Sequence, residues 1–183
     1  MRLIKNPWLG EESYHCFGCC PDNPFGLKMK FYQEGEDVVC IWHPSARYQS
    51  WDNTLHGGVQ SVLLDEICGW VVFHMLQASG VTAKMETRFR KPVVIRQPFI
   101  ELRARLKEMK RNVAVVEGEI RSAEGDVLVE CTCTYFTFDA KHAPENVPYR
   151  PTELIGEDLT REEVLTSLGC LGVQKVSKFL IQN

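Results

Sequence analysis

The run His56-Gly57-Gly58 stands directly before the longest apolar periodic stretch of the chain, which puts its two glycines in the first turn of a predicted helix. The leading N–H groups of a helix lack intrahelical partners, and a glycine lets another group approach them closely. Two such donors suit a developing oxyanion; the alternative is that they only make a tight turn into the helix. His56 has the chemistry of a general base. Two acids follow on the same helix, Asp65 and Glu66. At the helical step of about 100° per residue, Glu66 falls among Val59, Trp70 and Phe73 in the middle of the apolar arc. Asp65 lies beside Gly58, Ser61 and Gly69, an arc of small residues that lets another backbone come close. The pattern by itself therefore marks Glu66 as the unusual buried acid, paired with a base or a hydroxyl.

A third constellation is Cys16-x-x-Cys19 with Cys20 beside it. Two thiolates at that spacing can share one tetrahedral zinc, but a structural zinc site takes four ligands. No second pair is evident. Cys131 and Cys133 sit one residue apart in a strand-like run and share a face, while Cys40, Cys68 and Cys170 are scattered. No metal is expected on this basis, and the thiols read as buried or loop residues.

The elements that must position these residues follow from periodicity. Residues 1–26 carry three prolines and three glycines and form an irregular segment. A strand pair is predicted at Leu27–Tyr32 and Val38–Trp42, around the turn residues Glu34-Gly35-Glu36. The apolar stretch from Gly57 to about Leu76 has the length of a five-turn helix and is expected to be central and buried. Four long strands are then predicted at Val81–Val94, Phe99–Met109, Val113–Arg121 and Val127–Phe138. Short connections between them imply an antiparallel meander. From residue 140 the chain reads as a linker, followed by a short helix at Thr160, where Thr160 and Glu163 match a capping box. The organisation is thus 1–26 irregular, 27–139 a single domain, and 140–183 a linker with a helical extension that packs on the domain or on a neighbouring subunit.

A chain of 183 residues, 44% hydrophobic and 25% charged, has the composition of an ordinary globular protein and can bury a real core. No apolar run is long enough to span a membrane and the N-terminus lacks a secretory h-region, so a cytoplasmic protein with reduced thiols is expected. The net charge of −3 with signs interspersed gives no reason to expect nucleic acid or an anionic membrane as partner.

The local sequences resemble the phenylacetate-pathway-type (PaaI-like) thioesterases of the hotdog fold. The resemblance rests on Tyr48-Gln49-Ser50-Trp51, His56-Gly57-Gly58, Leu63-Leu64-Asp65-Glu66, the opening Cys16-Phe17-Gly18-Cys19 with Asn23-Pro24-Phe25-Gly26-Leu27, and the segment from Thr82 through Arg88-Phe89 to Pro92. It spans residues 14 to 138, with Ser50 and Cys20 standing where glycine is usual. It implies an α+β hotdog fold, in which an antiparallel sheet wraps one long central helix. It implies hydrolysis of acyl-CoA thioesters, with coenzyme A entering only as part of the substrate and no separate cofactor. Asp65 aligns with the catalytic carboxylate, acting as general base or nucleophile. Gly57 and Gly58 align with the oxyanion donors, Thr82 with a residue that positions water across a subunit interface, and His56 with one that orients the loop. Gln49 and Asn53 correspond to residues that contact the thioester. Arg88, Arg90 and Lys91 are candidates for the coenzyme A phosphates, although a solvated strand face accounts for them equally. Glu66 is grouped with the binding residues, with a structural pairing as its plainer role. Relatives pair into dimers or dimers of dimers with sites at the interface, and Val93-Val94-Ile95 and Val113–Val116 are candidate contacts. The competing functions are a hotdog dehydratase and a non-catalytic protein, either an acyl-CoA- or lipid-binding module or an assembly protein whose C-x-x-C segment binds metal.

Overall fold

The computed structural model describes residues 1–170. In chain order it contains β1 (Arg2–Ile4), β2 (Tyr32–Glu34), β3 (Asp37–Trp42), α1 (Gly57–Trp70), β4 (Ser79–Phe89), β5 (Ile100–Lys110), β6 (Val113–Arg121), β7 (Val127–Phe138), β8 (Leu154–Ile155) and α2 (Arg161–Ser167). A π-helical turn, Val71–Met75, prolongs α1. The strands form one antiparallel sheet in the order β4-β7-β6-β5-β3-β2-β1-β8.

Two-residue alternation explains how the sheet wraps the helix. On β7, Val129, Cys131, Cys133 and Tyr135 are buried and face α1. On α1, Leu63, Leu64, Ile67, Cys68 and Trp70 complete the same core. The helix approaches β6 so closely at Gly118 that a Cβ there would lie 2.8 Å from Cys68 Sγ and 2.9 Å from Cys131 Sγ. Only a residue without a side chain fits that contact.

The structure corrects several expected elements. The alternation Leu27/Met29/Phe31 is buried as predicted, but pairing begins only at Tyr32. Lys28 takes a positive φ of 56° that breaks the extended run, and the N–H groups of Leu27 and Met29 donate to Phe17 and Gly18 carbonyls instead of to a strand. The strand after the helix ends at Phe89 rather than Val94. The four long strands are not a simple meander, since β5-β6-β7 are hairpin neighbours whereas β4 crosses to the far side of β7. The connection between β4 and β5 is too long for a hairpin turn, carries Pro92 and Pro98, and is tied instead to the loop before α1 through Arg96 N–H donating to Asn53 Oδ1 at 3.0 Å. Val93 belongs to the core, as do Ala114 and Val116, so those three make no contact with a partner; Val94 is exposed.

Both flanking segments join the sheet. Residues 2–4 of the N-terminal segment form β1, and residues 154–155 of the tail pair with it. The capping box at Thr160 and Glu163 is present, with both reciprocal bonds. The helix it starts buries Val164 and Leu165 against Tyr32, Val39, Ile41 and Phe99 on the sheet face opposite α1. The tail beyond residue 170 lies outside the described residues. No described helix is long and apolar enough to cross a membrane.

Candidate active site

The loop before α1 is closed by its own polar side chains. Gln49 Oε1 accepts from Asn53 N–H at 3.3 Å, and Asn53, at a φ of 53°, receives the Ile95 N–H on its carbonyl at 3.1 Å. Of these two expected thioester contacts, Gln49 braces the loop internally and Asn53 ties it to the segment after β4. Asparagine suits that position because its short polar side chain tolerates the left-handed region.

His56 is the N-cap of α1, and its Nδ1 accepts the Gly58 N–H at 2.9 Å. That nitrogen is therefore occupied as a capping acceptor. The same bond occupies one of the two expected oxyanion donors. Among the described residues the Gly57 N–H has no partner, and the Phe89 ring lies 3.7 Å from where a Gly57 Cβ would stand. Of the two expected glycine donors, Gly57 is thus the open one, beside an exposed aromatic ring.

Asp65 sits on the face of α1 turned to β4 and β7. Its Oδ1 accepts from the Thr82 hydroxyl at 2.8 Å and from the Tyr135 hydroxyl at 3.2 Å, and Tyr135 also donates to the Asp65 carbonyl at 2.9 Å. Among the described residues no group donates to Oδ2. Burial, and after it the charges of Cys68 and Asp65, push the Tyr135 phenol well above its ordinary pKa, so it stays a neutral donor. Gly69, in the small-residue arc beside Asp65, faces the Tyr135 hydroxyl, which lies an ordinary van der Waals distance of 3.8 Å from where a Cβ would stand. Two hydroxyls fix one carboxylate oxygen and leave the other without a donor among the described residues.

Thr82 meets Asp65 within one chain. A bulge between Thr82 and Lys84 changes the facing of β4. Before it, Thr82 pairs with the inward Tyr135; after it, Lys84 and Arg88 pair with the outward Thr134 and Glu130. The candidate phosphate cations accordingly lie on the sheet face away from Asp65 of their own chain. Arg90 binds Glu130, Lys91 Nζ binds Asp126 Oδ2 at 3.0 Å, and Arg88 opens onto an outer groove shared with Arg103, Arg105, Glu86 and Glu117.

Glu66, one residue on, turns to the opposite surroundings. It accepts the Trp70 indole N–H at 3.2 Å and faces Cys16 Sγ at 3.4 Å, beneath the N-terminal loop. Tyr135 escaped the sequence reading. Its only signal there is a hydroxyl on the apolar face of an alternating strand.

With this geometry in place, likeness to known proteins is informative. Residues 52–129 match the thioesterase superfamily. The fold superposes on a thioesterase superfamily protein with a TM-score of 0.62, at 24% identity over 66% of this chain and 62% of that one. It also superposes on a hypothetical thioesterase from Streptococcus pneumoniae TIGR4 solved with coenzyme A, with a TM-score of 0.56, at 21% identity over 61% of this chain and 89% of that one. The fold is the hotdog fold, and the match to the thioesterase superfamily is confined to residues 52–129. Among curated proteins, MIOREX complex component 3 of Saccharomyces cerevisiae is 31% identical over 85 residues, 46% of this chain and 31% of the yeast protein. The chain therefore matches about a third of that relative's length.

Proposed function

We propose that this protein hydrolyses acyl-CoA thioesters, with Asp65 as the carboxylate that activates water or attacks the carbonyl. The observation that carries this reading is the carboxylate held by two hydroxyls on the central helix of a hotdog fold, with one oxygen free. The coenzyme A in the pneumococcal structure is a property of that protein, and it supports the same ligand class here. No separate cofactor is required: a carboxylate, water and an N–H donor suffice for thioester hydrolysis.

The helix spacing favours a site shared by two copies. Gly57 and Asp65 are eight positions apart on α1, about 12 Å of rise, and the lean of side chains toward the N-terminus shortens this only slightly. A thioester carbonyl must sit about 3 Å from both its attacking group and its oxyanion donor, which one chain's Gly57 and Asp65 do not allow. Strand β4 supplies the means of assembly. It is a long edge strand whose residues 81–84, Thr82 among them, are exposed, and a second copy adding to this edge brings its own helix start toward Asp65. Arg88 and its neighbours, turned from their own Asp65, are then available to coenzyme A bound across the pair.

Release of free thiol from a panel of short, long and aromatic acyl-CoA substrates tests the reading, with sedimentation giving the oligomeric state. Turnover that disappears in Asp65→Asn is expected. An inactive panel from a well-folded dimer favours a non-catalytic acyl-CoA-binding module, and turnover retained in both Asp65→Asn and Asp65→Ala rules out the mechanism.

A further inference from the structure

Two features remain outside the thioester site: the Cys16-x-x-Cys19 turn and the half-buried carboxylate of Glu66. The fold brings them together, although Cys16 and Glu66 are 50 positions apart in sequence. One ligand atom each from Cys16, Cys19 and Glu66 lies within 4.8 Å of the other two. A tetrahedral zinc with Zn–S of about 2.3 Å and Zn–O of about 2.0 Å sets sulfur and oxygen about 3.5 Å apart. Cys16 Sγ and Glu66 Oε1 are 3.4 Å apart.

The surroundings are those of a metal centre and its supporting shell. Trp70 Nε1 donates to Glu66 Oε1 at 3.2 Å and fixes the carboxylate. The Tyr14 hydroxyl lies 2.8 Å from Cys19 Sγ and accepts from Asn6 Nδ2 at 2.8 Å, which leaves its proton for the sulfur. Gly18 is required for the fit, because a methyl group there would collide with the Glu66 carboxylate. Cys16 is only half-buried, which gives an ion a way in.

We infer that Cys16, Cys19 and Glu66 bind a thiophilic divalent cation of the zinc type, with water in the fourth position, fastening the N-terminal loop to the helix that carries Asp65. Soft thiolates select such a cation over magnesium or calcium. The second thiol cluster, Cys68, Cys131 and Cys133, is fully buried, has no carboxylate in its set and serves as the internal control.

The test takes the full chain with thiols kept reduced by a phosphine, strips it with chelator and titrates it with Zn²⁺ or Co²⁺. A single ion per chain is expected by elemental analysis, with thiolate-to-Co²⁺ charge-transfer absorbance in the near ultraviolet. Cys16→Ser and Cys19→Ser lose both signals, Glu66→Gln weakens binding roughly tenfold or more, and Cys68→Ser keeps them. At free Zn²⁺ of about 100 times Kd the melting temperature rises by roughly 5–10 °C. On the unmutated chain, which needs no variant to fold, bound Zn²⁺ shields Cys16 from alkylation by iodoacetamide, read by mass spectrometry. The inference is overturned if reduced protein takes up neither ion, if the ion persists without Cys16 and leaves with Cys68→Ser, or if Cys16 alkylates equally with and without Zn²⁺. A Cys16–Cys19 disulfide in oxidised protein, with no Zn²⁺ uptake after reduction, overturns it as well.

Discussion

Asp65 and Glu66 are adjacent carboxylates on one helix, and the fold assigns them to opposite environments. Asp65 turns to the open edge of the sheet, where two hydroxyls hold one oxygen and the other has no donor among the described residues. Glu66 turns under the N-terminal loop, where an indole N–H and a thiol surround it and a glycine is needed to make room. One helical step of about 100° separates a carboxylate held by hydroxyls from one enclosed beside an indole and a thiol. Identical chemistry therefore acquires different roles from what lies opposite the helix, which residue type alone does not record.

The sharpest way to break the comparison is at Asp65. Asp65→Asn keeps the shape and removes the basic oxygen, and kcat for acyl-CoA hydrolysis should fall by roughly 10²–10⁴-fold, measured by thiol release. The two hydroxyls come next. Tyr135→Phe and Thr82→Val each remove a donor to the carboxylate, a contribution of about 1.5–3 kcal/mol, so kcat should drop roughly ten- to a hundredfold with little change in KM. An unchanged kcat in both variants would mean that Asp65 needs no positioning.

Glu66→Ala sharpens the contrast from the other side. Leaving the Trp70 indole unpaired should lower unfolding stability by about 1–3 kcal/mol in urea titration. Its loss of turnover should be smaller than that of Asp65→Asn, and an equal loss would merge the two regions into one site. The smallest effect is expected at His56. His56→Ala removes the side-chain cap of α1, costing about 0.5–2 kcal/mol of stability, and it frees the Gly58 N–H. Turnover changed by less than tenfold would mark His56 as a capping residue, whereas a loss as large as that of Asp65→Asn would restore it as a general base.

Much of the fold was legible because local rules govern it. The strands Val113–Arg121 and Val127–Phe138 coincide with their predicted bounds, since alternation and the turns at residues 110–112 and 124–126 both act within a few residues. The capping box of α2 was readable for the same reason. The placement of β4 beside β7 was not, because strand order depends on contacts between residues some 50 positions apart. Nor was the enclosure of Leu27–Phe31, where one left-handed residue, Lys28, turns the backbone toward the N-terminal loop. At the site, the family resemblance pointed to Asp65 and Thr82, and the bond between their side chains joins them within one chain. The contact of Tyr135 with Asp65 and the occupation of the Gly58 N–H by His56 emerged only from the structure.

What the sequence determined by itself is the set of elements, the helix start at His56-Gly57-Gly58 and the presence of two acids on α1, since propensity, capping and periodicity are properties of neighbouring residues. What only the tertiary structure decided is which acid meets hydroxyls and which meets thiols. The wheel put Glu66 alone in the apolar arc, but a helix wrapped by a sheet on one side and a loop on the other has two buried faces, and each face's polar partners come from distant segments. The physical reason is that a side chain's role is set by the groups within a few ångströms of it, and chain connectivity does not specify those groups until the sheet has closed around the helix.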